Sequence, residues 1–77
     1  MDNLGQAMQL LKMMTDDSTF PKNARTKIAG TITMLETSGS MNVSKAMHEL
    51  EAISDDVNIP AHVRTQLFSV VSLLEIV

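Results

Sequence analysis

The chain has no cysteine, no tryptophan and no tyrosine, and only two phenylalanines, two prolines and three glycines in 77 residues. Without cysteine there is neither a disulfide nor a thiolate metal site. Two small rings cannot form an aromatic stacking platform for single-stranded nucleic acid. His48 and His62 are too far apart in sequence to pair on one helix face as metal ligands. Positive charge is also scarce. The net charge is −3, and it all comes from the second half: residues 1–39 balance to zero, whereas Glu49, Glu51, Asp55, Asp56 and Glu75 outnumber Lys45 and Arg64. An acidic balance argues against general affinity for phosphate backbones, so nucleic acid is not an expected partner. Long apolar runs are missing too. The most apolar stretch, Leu67 to Val77, contains Glu75 and falls short of the roughly 20 residues that a membrane helix needs. The start, Met1-Asp2-Asn3-Leu4-Gly5, has no basic segment followed by an apolar run, so no signal peptide is expected and the predicted location is cytoplasmic.

What the chain does have is a duplication. Shifted by 39 residues, Leu11, Asp16, Asp17, Pro21, Arg25, Thr26, Leu35 and Glu36 fall on Leu50, Asp55, Asp56, Pro60, Arg64, Thr65, Leu74 and Glu75 without a gap. Asn3, Ala7 and Met8 fall on Asn42, Ala46 and Met47. A period near 40 residues marks stacked helical pairs. Repeat one covers about 3–36, a linker about 37–41 and repeat two about 42–75, within one domain spanning 1–77.

Leu4, Ala7, Met8, Leu11 and Met14 or Thr15 recur at helical spacing, and Val43, Ala46, Met47, Leu50 and Ile53 repeat the stripe. The Asp pairs should stop each first helix, because carboxylates oppose the dipole at a helix C-terminus. Pro21 and Pro60 mark the start of each second helix, with Thr19 and Asn58 as residue types that cap. The stripes Ala24, Ile28, Ile32, Leu35 and Val63, Leu67, Val71, Leu74 follow. Thr37-Ser38-Gly39-Ser40 reads as the linker, with Ser40, Asn42 or Ser44 capping helix three. Connections of about four residues force antiparallel packing within each copy. The expected fold is all-α: an antiparallel four-helix bundle made of two duplicated helical hairpins.

Two resemblances follow from these residues. Leu50-x4-Asp55-Asp56-x6-Val63-Arg64 resembles a HEAT-type repeat, with Ala24 at the Val position of the first copy. Asp56-Val57-Asn58-Ile59-Pro60-Ala61-His62-Val63-Arg64-Thr65 and Asp17-Ser18-Thr19-Phe20-Pro21-Lys22-Asn23-Ala24-Arg25 resemble segments of uncharacterised protein family 147, a small archaeal family. The resemblance implies an all-helical archaeal protein and brings no activity with it.

Candidate sites are few. Arg25 with Asp16 and Asp17, and Arg64 with Asp55 and Asp56, are expected to tie the inter-helix turns by carboxylate–guanidinium pairs, because both copies keep them. The calcium-loop pattern is absent from the Asp pairs, and no metal or cofactor is expected. His62 has no identifiable nucleophile or carboxylate converging on it, and His48 reads as a surface residue, so no catalytic residue and no enzyme activity are expected. Lys22, Arg25 and Lys27 open helix two and could hold an anion. The Met stripes read as core, while Leu10 and Met13 fall outside it. Phe68, Leu73 and Ile76 lie off the core stripe of helix four, where copy one has Ala29, Met34 and Thr37, and mark an expected dimer interface. The expected role is a small interaction or structural module that self-associates with itself or an unidentified protein. The alternative is an anion- or nucleic-acid-binding accessory protein.

Overall fold

A computed structural model describes residues 3–77, apart from the side chains of residues 38–40. It contains α1 (Asn3–Thr15), α2 (Lys22–Ser38), a 3-10 turn (Gly39–Asn42), α3 (Val43–Ser54) and α4 (Ala61–Glu75). Each helix packs on two others: α1 on α2 and α4, α3 on α4 and α2. The four therefore close a ring around a shared core, and the bundle measures 30 × 19 × 19 Å. A helix of α2's 17 residues is about 26 Å long, so one helix nearly spans the long axis.

The repeated stripes form the core. Ala7, Leu11 and Met14 of α1 and Ala46, Leu50 and Ile53 of α3 are buried, as are Ala24, Ile28, Ile32 and Leu35 of α2 and Val63, Leu67, Val70, Val71 and Leu74 of α4. Phe20 and Ile59, equivalent residues of the two turns, cap this core. Met8, Met34 and Met47 pack against it half-buried. Because both hairpins are antiparallel, turns 16–21 and 55–60 meet at one end of the bundle, and a cavity lined from both turns lies there.

Three local expectations differ from the structure. The region read as the linker between copies, 37–41, is helical to Ser38 and then a 3-10 turn. Thr33 and Thr37 return their hydroxyls to the carbonyls of Ala29 and Thr33, so these β-branched residues stay within the helix. At α3 the N-cap is Asn42, but its side chain makes no capping hydrogen bond; the Ser40 side chain lies outside the described residues. At α4 the cap is Pro60, not Asn58, and its carbonyl accepts the first helical N–H, from Arg64 at 3.2 Å. Pro21 does the same for Arg25 at 3.0 Å. The reason lies two residues after each second Asp. Asp17 Oδ1 accepts the Thr19 N–H and Asp56 Oδ1 accepts the Asn58 N–H, both at 2.9 Å. These Asx turns set the direction of the chain before the proline, and a capping side chain is not needed.

Candidate functional site

The turn end carries a polar contact between the copies. The Thr19 hydroxyl donates to Asp17 Oδ1 at 2.7 Å and also lies 3.2 Å from His62 Nε2. A threonine hydroxyl has one proton, and the shorter contact to a carboxylate uses it. His62 is therefore the donor across the copies, from Nε2–H. The Phe20 ring meets the His62 ring edge-on, with centroids 6.0 Å apart and planes at 79°. The Asp17 carboxyl is held below its usual range, first by the Thr19 hydroxyl and then by the Thr19 N–H. Desolvation opposes this, and the charges of His62 and Arg25 add to the lowering.

The pseudo-symmetric place, where Asn23 and Asn58 replace His62 and Thr19, is a cavity of about 110 Å³. Asn23, Lys27, Asp56 and Asn58 give it polar walls, and Ala24, Ile53 and Ile59 are among its apolar ones.

The two arginines behave differently. Arg64 ties its turn, but through carbonyls: Nε donates to Ser54 O at 3.0 Å and a terminal nitrogen donates to Asp56 O at 3.3 Å. The buried Nε of Arg25 has no hydrogen-bond partner. The expected pairs with Asp16, Asp17, Asp55 and Asp56 do not form as salt bridges; among the described residues the ion pair is Lys12 with Glu36, 3.5 Å apart and exposed. Ser54, the last residue of α3, offers a carbonyl at the helix end, and this competes successfully with solvated carboxylates; the Asp56 carbonyl, which also accepts the Ile59 N–H, adds a longer contact. Nor do the Asp pairs converge with a third ligand; among the described residues no three His, Cys, Asp or Glu could hold a metal ion.

The basic start of α2 is not one cluster. Lys22 and Lys27 are exposed and Arg25 is half-buried. Residues two apart on a helix do not face each other, so Arg25 and Lys27 diverge. Only Lys27 of the three lines the cavity. His48 is exposed.

Among the expected interface residues, Phe68 is 54% exposed and Ile76 67%. Leu73 is half-buried against the core and, with Leu10 and Met13, lines a shallow groove between α1 and α4. Phe68 borders a separate depression beside Glu51 and Asp55 of the α3 side. The exposed face of α4 between Arg64 and Glu75 carries no formal charge: Thr65, Gln66, Phe68, Ser69 and Ser72 occupy it. No helix among the described residues is long and apolar enough to cross a membrane.

Sequence reading missed the contact between Thr19 and His62 and the cavity opposite it. The signal was present in the repeat. His62 with Phe20, and Asn23 with Ile59, are paired differences at positions that the duplication places face to face.

Comparison with known proteins comes down to helical relatives. A crystal structure of a protein from uncharacterised family UPF0147 of Thermoplasma acidophilum is similar at a TM-score of 0.91 and 30% identity, over 96% of this chain and 91% of that one. A Methanococcus protein whose structure is described as of unknown function is similar at 0.88 and 29% identity, over 97% and 89%. No curated protein matches. The family model for uncharacterised protein family UPF0147 matches residues 1–77. On that match and those folds, the chain belongs to uncharacterised protein family UPF0147.

Proposed function

We propose that the chain is a non-enzymatic, self-associating interaction module of the cytoplasm, a homodimer joined largely through α4. The observation that carries this reading is the exposure of Phe68 in α4 and of Ile76, which caps its end, with no charged residue in α4 between Arg64 and Glu75. Interface centres are depleted of charge and enriched in aromatic residues. A two-fold contact sets a surface against itself, so any charge near the axis would meet its like; α4 offers none between Arg64 and Glu75, and Glu51, Asp55 and Glu75 beside Phe68 would have to lie at the rim. Pairing would also add buried area to a small domain with no disulfide. The half-buried Leu73, with Leu10 and Met13, extends the apolar surface toward α1. An anion- or nucleic-acid-binding role is the weaker reading, since Lys27 leaves α2 in a different direction from Lys22 and Arg25.

Sedimentation equilibrium at micromolar concentration tests the proposal. The wild type should behave as a dimer, and Phe68→Glu with Ile76→Glu should yield a folded monomer. A wild type that is monomeric throughout, or a folded double variant that stays dimeric, rules this reading out.

A further inference from the structure

The cavity at the turn end has a counterpart in the same molecule, where His62 meets Thr19 and Phe20. Moving 39 residues along the chain takes its walls Asn23, Ala24, Asn58 and Ile59 to His62, Val63, Thr19 and Phe20. In that counterpart an exposed imidazole lies against the facing turn, bonded through Nε2 to Thr19 and packed edge-on against Phe20. At the cavity each of three facing residues is smaller: an amide for an imidazole, Ala for Val, Ile for Phe. The volume left is about 110 Å³. An engineered cavity of about 150 Å³ admits benzene, so this space suits a smaller, five-membered ring. Its polar groups also differ from those of the counterpart. Lys27 stands where the counterpart has Gln66, and Asp56 where it has Asp17. Asp56 Oδ1 already accepts the Asn58 N–H, which leaves the rest of that carboxylate open. The Lys27 ammonium can only donate. One wall therefore asks for a donor and the other for an acceptor, which a neutral azole supplies from its two nitrogens. An imidazolium has two donors and no acceptor, and would face Lys27 with like charge.

We propose that this cavity binds a neutral imidazole-type ring, with its N–H directed at Asp56 and its bare nitrogen accepting from Lys27. The source is either a free heterocycle or a histidine side chain of a peptide.

The test is an amide-detected NMR titration of the intact chain at about pH 8, where an imidazole is neutral, with three probes: imidazole, N-acetylhistidine methylamide and sodium acetate. Imidazole should give saturable shifts at Asn23, Lys27, Asn58 and Ile59, half-complete at about 1–10 mM, as a ligand of so few atoms allows. Asn23→His, which installs the ring of the counterpart on an exposed position, should weaken binding at least about tenfold. Lys27→Met should weaken it as well. Binding of the blocked histidine with imidazole assigns the site to a peptide side chain, and binding of imidazole alone to a free heterocycle. Absent or unsaturable shifts, equal shifts around Thr19 and Gln66, unchanged binding by Asn23→His, or tighter binding of acetate would each overturn the proposal.

Discussion

Arg64 Nε lies 3.0 Å from the carbonyl of Ser54, at the end of the helix before its own, and so joins the two helices of the second hairpin across their turn. Its repeat equivalent, Arg25, buries the same nitrogen without a partner. One residue type kept in both copies thus does two different amounts of stabilising.

Truncating the two arginines should expose the difference. Arg64→Met removes charged donors from two carbonyls and should cost about 1–2 kcal/mol. Arg25→Met removes an unsatisfied buried N–H while keeping the stem, and should cost less than about 0.5 kcal/mol. Urea unfolding of both variants measures it. Equal losses would mean that Arg25 finds a partner in solution.

The Thr19 hydroxyl is the junction between the hairpins. Thr19→Val keeps the shape and deletes the contacts to Asp17 and His62, and should cost about 0.5–1.5 kcal/mol. In the wild type, nitrogen NMR of the neutral His62 ring should find the proton on Nε2; a proton on Nδ1 would contradict the hydrogen-bond order deduced from the geometry.

Acid should weaken this junction in a defined window. Asp17 has a folded-state pKa below its unfolded value, so its contribution is fully present above about pH 4 and is lost as pH falls through the lower, folded value. Stability should therefore fall less steeply with acid in Asp17→Asn than in the wild type. Parallel acid limbs in the two proteins would show that Asp17 has no such role.

Gly30 lies exposed in α2, and a methyl group added there meets nothing within 4 Å. Gly30→Ala should raise stability by about 0.5–1 kcal/mol, because the unfolded chain loses freedom and the helix gains a better former. Thermal unfolding reads this directly. A loss instead would mean that another molecule approaches the backbone at this point.

The four helices were legible because each apolar stripe occurs twice, and a pattern repeated at helical period is hard to produce by accident. Ala7, Leu11, Ala46 and Leu50 are buried as their spacing demands. The turns were less legible. Thr19 and Asn58 are capping types, but an Asp two residues earlier captured their N–H groups, and spacing alone does not rank such competitors. The arginine pairing failed for a related reason: charge complementarity identified the carboxylates, whereas the carbonyls of Ser54 and Asp56 that Arg64 meets belong to the backbone and leave no mark in the residue types. The link from Thr19 to His62 crosses the chain between copies, where no local pattern reaches.

The closed ring of helices leaves the order of the two hairpins open. Since α4 packs on α1 as α2 packs on α3, the junction between the copies could be cut at the 3-10 turn and remade between Val77 and the segment before α1. A circular permutant beginning at Val43 keeps every helix neighbour, and with a connection of a few residues its urea midpoint should lie close to that of the parent. The fold is then better regarded as a cycle of four helices than as a sequence of them.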